Sequence, residues 1–355
     1  HSSNSTAITV SSLGSAVISA GTFSSDVSDY CAAGTYAKQD ENASTYTVTA
    51  MTQDIAVASV TTDTETLYFS GLNAAVAYAS AQGADAVTVK LLKNAVMTGT
   101  ASVSGNVVLD LNGNTVDTEL TDGRIFYVPS GGKLTVQDST DTSRNGSGNG
   151  KIAATNVAPY YSVSMITVDK GGSFQMDSGL LEQHDDDCCA LEVRKDANAV
   201  ITGGKIASIE SAGLLTNNDC VVSCAGTLTM TGGEIVNTAR AGNALTLSGT
   251  ADIKGGIIEG RMTGTDSDTT VICIKGGVCN LYDNGVIKNS ATAGYSQAVY
   301  LNTDGSIFNM YGGSVLSDTG KTSTVAIYAL PVDSYINIYG GTIASSGVAI
   351  DKNVN

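Results

Sequence analysis

The sequence predicts an all-β chain, a right-handed parallel β-helix with three short strands per coil and a short N-terminal capping helix. Three observations lead there. A pattern of apolar-x-apolar, turn, apolar-x-apolar, then x-Gly-Gly-x-apolar returns through the second half of the chain. Inside each run apolar and polar residues alternate, which is the period of a strand with one buried face. The second glycine of each corner falls at Gly204, Gly233, Gly256, Gly285, Gly313 and Gly341, at spacings of 29, 23, 29, 28 and 28 residues. A repeat of that size cannot bury its inner face alone, and stacking on neighbours at about 4.8 Å closes the core. Parallel crossovers set the right-handed sense.

Taken in order, the chain divides into residues 1–30, a detached coil with an end-cap motif; 31–66, a linker and strand segment; and 67–355, the β-helix. The first coil is ITVSSLGSAVISAGTF, Ile8 to Phe23, which aligns without a gap on the repeat from Ile166 to Leu181. Ile8 and Val10 take the first strand, Ala16 and Ile18 the second, and Ala20-Gly21-Thr22-Phe23 the corner. The capping helix spans 71–82 within SGLNAAVAYASAQG, with Ser70 as N-cap and Gly83 after its end. Leu72, Ala75, Val76 and Ala79 share its apolar face. Such a helix covers the open first coil, whose strand edges are otherwise unpaired. VTVKLL (Val87 to Leu92) reads as a first strand, and VLDLNGNTV (Val108 to Val116) as second and third strands. An insertion, STDTSRNGSGN, at 139–149, separates two strands of the next coil. Regular repeats then run to VAIDKN, Val348 to Asn353, a first strand with no second or third strand after it.

Function is constrained mainly by exclusion. A net charge of −16 argues against nucleic acid or an anionic membrane surface as partner. No stretch approaches the roughly 18 apolar residues of a membrane span, so no membrane insertion is expected. With two histidines, His1 and His184, most His-dependent metal and triad chemistry is excluded.

Further along, GTFSSDVSDYCAAGTYA and TYTV (Gly21 to Val48), then LYFSGLNAAVAYA, VTVKLLKNA and LDLNGNTV, resemble the right-handed β-helix modules of large surface proteins of gut Gram-positive bacteria, a pectate-lyase-like solenoid. The likeness covers nearly the whole chain, and FSSDVSDYCA is its most specific part. In that family, as far as the resemblance carries, FSSDVSDYC closes the C-terminal end of a module; here it stands near the N-terminus. Either the chain is a piece of a longer array, or the N-terminal coil docks on the uncapped C-terminal end of another copy. The second arrangement is a heterologous contact that generates a fibre.

Individual residues add candidates. Cys189 and Cys220 hold equivalent positions in consecutive coils, within disulfide reach; a stack of free thiols is the other reading. Cys224 and Cys279 point inward, and Cys31 and Cys188 have no assigned partner. HDDDCC, His184 to Cys189, has a superficial likeness to the Asp-Asp-Cys motif of polygalacturonases, but the rest of that constellation is missing. A solvated loop is the plainer reading, with Asp185, Asp186 and Asp187 as a weak Ca²⁺ site; no other cofactor is expected. Tyr300 and Tyr328, and Tyr311 and Tyr339, each 28 residues apart, form aromatic ladders. These either stabilise the surface or offer a platform for a glycan, a protein or the next protomer.

The expected function is structural or adhesive, without catalysis, in a secreted or cell-surface protein. Its partner is then itself, head to tail, through Ile8, Val10, Ala16, Ile18 and Phe23 on one side and Val348 and Ile350 on the other, or else a surface glycan or protein. A carbohydrate-active enzyme (polysaccharide lyase or glycoside hydrolase) or a glycan-binding module is the alternative.

Overall fold

The computed structural model describes residues 16–41, 44–120, 124–154, 164–184, 189–209, 220–239, 242–262, 269–292, 296–330 and 333–352. The fold is all-β, with long parallel sheets and a single α-helix among these residues. Each strand pairs in parallel with the strand one sequence repeat later. First strands of the repeats form a ten-stranded sheet from Ala101–Ser102 to Val348–Lys352. Second strands pair in the same way, as in Ser173–Met176 with Asn198–Ile201 and Ile307–Met310 with Tyr335–Ile338. Third strands follow suit, as in Leu180–Gln183 with Lys205–Ser208.

Register explains the core. Leu134, Phe174, Ala199, Leu228, Ala251, Cys279 and Phe308 succeed one another in the second-strand register, and all are buried. Ile152, Leu181, Ile206, Ile235, Ile258, Ile287 and Val315 form the matching third-strand column. Packing β-branched and unbranched side chains in rows lets each repeat cover the one before it. The corner glycines are needed where backbones approach closely. Gly233 has φ +76°, and a Cβ there would meet the carbonyl oxygen of Gly203 at 2.8 Å.

At the N-terminal end of the stack, the helix Leu72–Ser80 buries Leu72, Ala75, Val76 and Ala79, the face read from the sequence. Its ends differ from that reading. The N-cap is Gly71, extended at φ −151° and without a side-chain cap, so Ser70 plays no capping role. The last turn closes at Ala81, whose N–H bonds the carbonyls of Tyr78 and Ala79. A hairpin, Ala58–Thr61 with Thr66–Phe69, lies beside the helix and pairs antiparallel to Val87–Leu91. Val87–Leu91 itself pairs in parallel with Asn106–Asp110, and that strand with Lys133–Gln137. It therefore belongs to the second-strand ladder, not the first-strand position assigned from alternation.

The segment before the hairpin forms a separate small sheet. Gly21–Phe23, Tyr46–Ala50 and Thr35–Gln39 pair antiparallel in that order, around a cluster of Ile18, Val27 and Val48. Met51 N–H bonds Gly34 O at 2.7 Å, and Gly34 approaches Leu67 of the hairpin.

Candidate assembly surface at the ends of the strand stack

Strands Tyr335–Ile338, Thr342–Ser345 and Val348–Lys352 each pair with one preceding strand; their outer edges carry no pairing among the described residues. Inward-facing side chains lose their cover here. Met310 and Ile327 are fully buried, yet their register partners Ile338 and Ile350 are 43% and 41% exposed. Val325 is 3% exposed and its partner Val348 47%. Ile336 and Ile343 are half-buried where Phe308 and Val315 were completely covered. The end is thus an apolar patch rimmed by unpaired backbone, which demands a cover.

At the other end, Ile8 and Val10 lie outside the described residues. Ala16 and Phe23 are half-buried, and Ile18 is buried. Ile18 makes a parallel bridge to Cys31, with Ile18 N–H donating to Tyr30 O at 2.7 Å and Ala32 N–H to Ile18 O at 2.8 Å. FSSDV turns on Asp26, whose Oδ1 accepts the Ser28 hydroxyl at 2.5 Å and its N–H at 2.9 Å. The Ser28 hydroxyl and N–H hold that carboxyl below the usual aspartate value. Thr22 and Phe23, expected in a parallel third strand, pair antiparallel with Thr47 and Tyr46 instead.

Both tyrosine pairs stack. Tyr300 and Tyr328 have ring centroids 5.4 Å apart, and Tyr311 and Tyr339 are 5.1 Å apart and 6° from parallel. Tyr282 extends the second ladder at 5.2 Å from Tyr311, and Lys254 lies 5.9 Å from the Tyr282 ring. The same 29-residue spacing from Tyr282 to Tyr311 was the available signal in the sequence. Beside these rings runs an amide ladder that the sequence reading missed. Asn337 Nδ2 donates to Asn309 Oδ1, Asn309 Nδ2 to Asn280 Oδ1, and Asn280 Nδ2 to Asp252 Oδ1, each at 2.8 Å. Tyr339, 69% exposed, ends the aromatic ladder at the open edge.

The remaining candidates are dispersed. Cys189 and Cys220 meet with sulfurs 2.8 Å apart. Cys224 and Cys279 sit in the core, where burial pushes both thiols up to about 12. Asp185, Asp186, Asp187 and Cys188 lie outside the described residues. Next to them, Glu182 is held by Lys151 at 3.3 Å and by His184 Nε2 at 2.6 Å. Among the described residues no group of three or more His, Cys, Asp or Glu side chains is placed to hold a metal ion, and no helix is long and apolar enough to cross a membrane. The insertion folds across the next two repeats: Arg144 Nε donates to Asp177 O at 2.9 Å and its terminal nitrogen to Thr202 Oγ1 at 2.7 Å. A groove beside it is lined by Arg144, Thr202, Gly204, Glu234, Ile257 and Arg261.

No family model, no curated protein and no solved structure matches the chain.

Proposed function

We propose that the parallel ladders close into a right-handed β-helix and that the protein is a non-catalytic, extracellular structural or adhesive molecule that assembles head to tail. The observation that carries this reading is the C-terminal edge, where Ile338, Val348 and Ile350 stand exposed although their register partners are buried. Covering each of these half-covered side chains contributes about 1–2 kcal/mol. The N-terminal segment, with the repeat pattern in its sequence, is the complementary element. Secretion accords with the low charge, the absence of tryptophan and the surface-module resemblance, and Cys189 and Cys220 are then joined as a disulfide in an oxidising location. The tyrosine ladders serve the surface or a glycan or protein that binds it.

Light scattering after size exclusion, with negative-stain microscopy, tests the reading. End-to-end particles one molecule wide, growing with concentration, are expected. A strictly monomeric protein at high concentration would sink it. The groove between the insertion and Arg261 favours the second reading, a glycan-binding module or a carbohydrate-active enzyme. Glycan-array binding and polysaccharide cleavage assays separate those two from a purely structural role.

A further inference from the structure

The two ends share a local design that fixes how they fit. Ile18-x-x-Gly21-Thr22-Phe23 repeats the spacing of Ile338-x-x-Gly341-Thr342-Ile343. Both glycines take positive φ, +130° at Gly21 and +96° at Gly341, the corner conformation that an L side chain resists. Burial also corresponds, with Ile18 and Phe23 turned to the small cluster as Ile338 and Ile343 are turned to the core of the stack.

Backbone polarity agrees as well. Along the stack, Tyr339 N–H donates to Met310 O at 2.8 Å and Thr342 N–H to Gly313 O at 2.9 Å. Each later rung therefore donates backward at those positions. Gly341 O and Ile343 N–H are left directed at the following rung. In the N-terminal sheet, Asp40 N–H bonds Thr45 O and Met51 N–H bonds Gly34 O. Hydrogen-bonded pairs alternate in an antiparallel ladder, so Thr47 turns its backbone groups toward Lys38. Thr22, opposite Thr47, consequently turns its own N–H and C=O away from that sheet, to the open side. Ile18 has the reverse sense, its backbone used toward Cys31 on the far side, as Met310 uses its carbonyl toward Tyr339. The segment 18–22 is thus poised like a rung whose following neighbour is present and whose preceding neighbour is missing.

We propose that residues Ile18–Phe23 of one copy form the rung that follows Tyr335–Ile343 of a second copy. Ile18 lies on Ile338, Gly21 on Gly341, Thr22 on Thr342 and Phe23 on Ile343. Thr22 N–H donates to Gly341 O, and Thr22 O accepts Ile343 N–H. The first strand at that level is Val348–Lys352 of the second copy, so the rung is composite, with strands from both molecules. The antiparallel strands Tyr46–Ala50 and Thr35–Gln39 lie on the far side of Gly21–Phe23 and do not obstruct the approach. This inference rests on the head-to-tail reading and adds its register.

Thr22 and Thr342 are both exposed, so a cysteine at either leaves the core intact. Directly opposed residues of adjacent strands lie within disulfide reach. The experiment mixes full-length Thr22→Cys with full-length Thr342→Cys under mild oxidation, with circular dichroism confirming that each variant is folded. A disulfide-linked dimer that forms in the mixture, and not from either variant alone, is the expected result. Thr22→Cys with Ala344→Cys, two residues out of register, is the comparison and should give far less. End-to-end particles in the microscope with no preference for the Thr342 partner would overturn the register while leaving assembly standing. Absence of both particles and dimer would overturn both.

Discussion

Asp138 shows how single side chains hold the irregular parts of this molecule. It is 2% exposed and accepts from Gly113 N–H at 2.9 Å, Thr140 N–H at 3.0 Å, Thr140 Oγ1 at 2.8 Å and Gly150 N–H at 2.9 Å. Burial alone would raise its carboxyl, but the hydrogen bonds from Thr140, Gly113 and Gly150 together hold it below the usual aspartate value. The carboxylate ties the two ends of the insertion to the preceding repeat. Asp138→Ala leaves three backbone N–H groups without their acceptor and is expected to cost about 2–4 kcal/mol in urea unfolding. A folded-state pKa below the unfolded value makes this stabilisation complete above roughly pH 4, and it is lost as pH falls through the folded value. Wild-type and variant stabilities should therefore converge in strong acid. A gap that persists unchanged there would show that the carboxylate's charge is not the cause.

Between elements, the contact of Cys189 with Cys220 links the first strands of two successive repeats across the unequal connection that separates them. Intact mass before and after reduction tests the disulfide: a gain of two hydrogens is expected, with Cys189 and Cys220 protected from alkylation in the oxidised protein. Alkylation of both without reduction would remove it. The apolar helix face was legible because Leu72, Ala75, Val76 and Ala79 obey a local period. The column of inward side chains was legible for the same reason, repeated every 23–29 residues. What escaped was pairing between distant segments. Val87–Leu91 alternates like any strand of the stack, and only its partner Asn106–Asp110 assigns it to the second ladder. The reversal at Gly21–Phe23 depends on Tyr46–Val48, which no local pattern announces. The asparagine ladder was equally readable in spacing, but polar outward positions carry no hydrophobic signal, and its order arises from amide-to-amide hydrogen bonds.

For the whole molecule, stability should be graded along the strand stack. Central strands such as Asn243–Leu247 and Val278–Asn289 are paired on both edges, whereas those of 335–352 are paired on one. Hydrogen exchange at low concentration should be slowest in the centre and fastest at 16–50 and 335–352. Raising the concentration until particles form should slow exchange at 18–23 and 335–352 and leave the centre unchanged. Equal slowing everywhere, or none at the two ends, contradicts end-to-end assembly.

The hairpin Ala58–Phe69 carries a consequence for safety. A stack of parallel strands that never changed direction would be a seed on which any chain of suitable pattern could crystallise, the hazard realised in amyloid. Here the direction of pairing reverses at Val87–Leu91, and the helix Leu72–Ser80 shuts the apolar interior beside it. Each molecule thereby interrupts its own template, and a misaligned strand captured at one end has no continuous path by which its error could spread to the next.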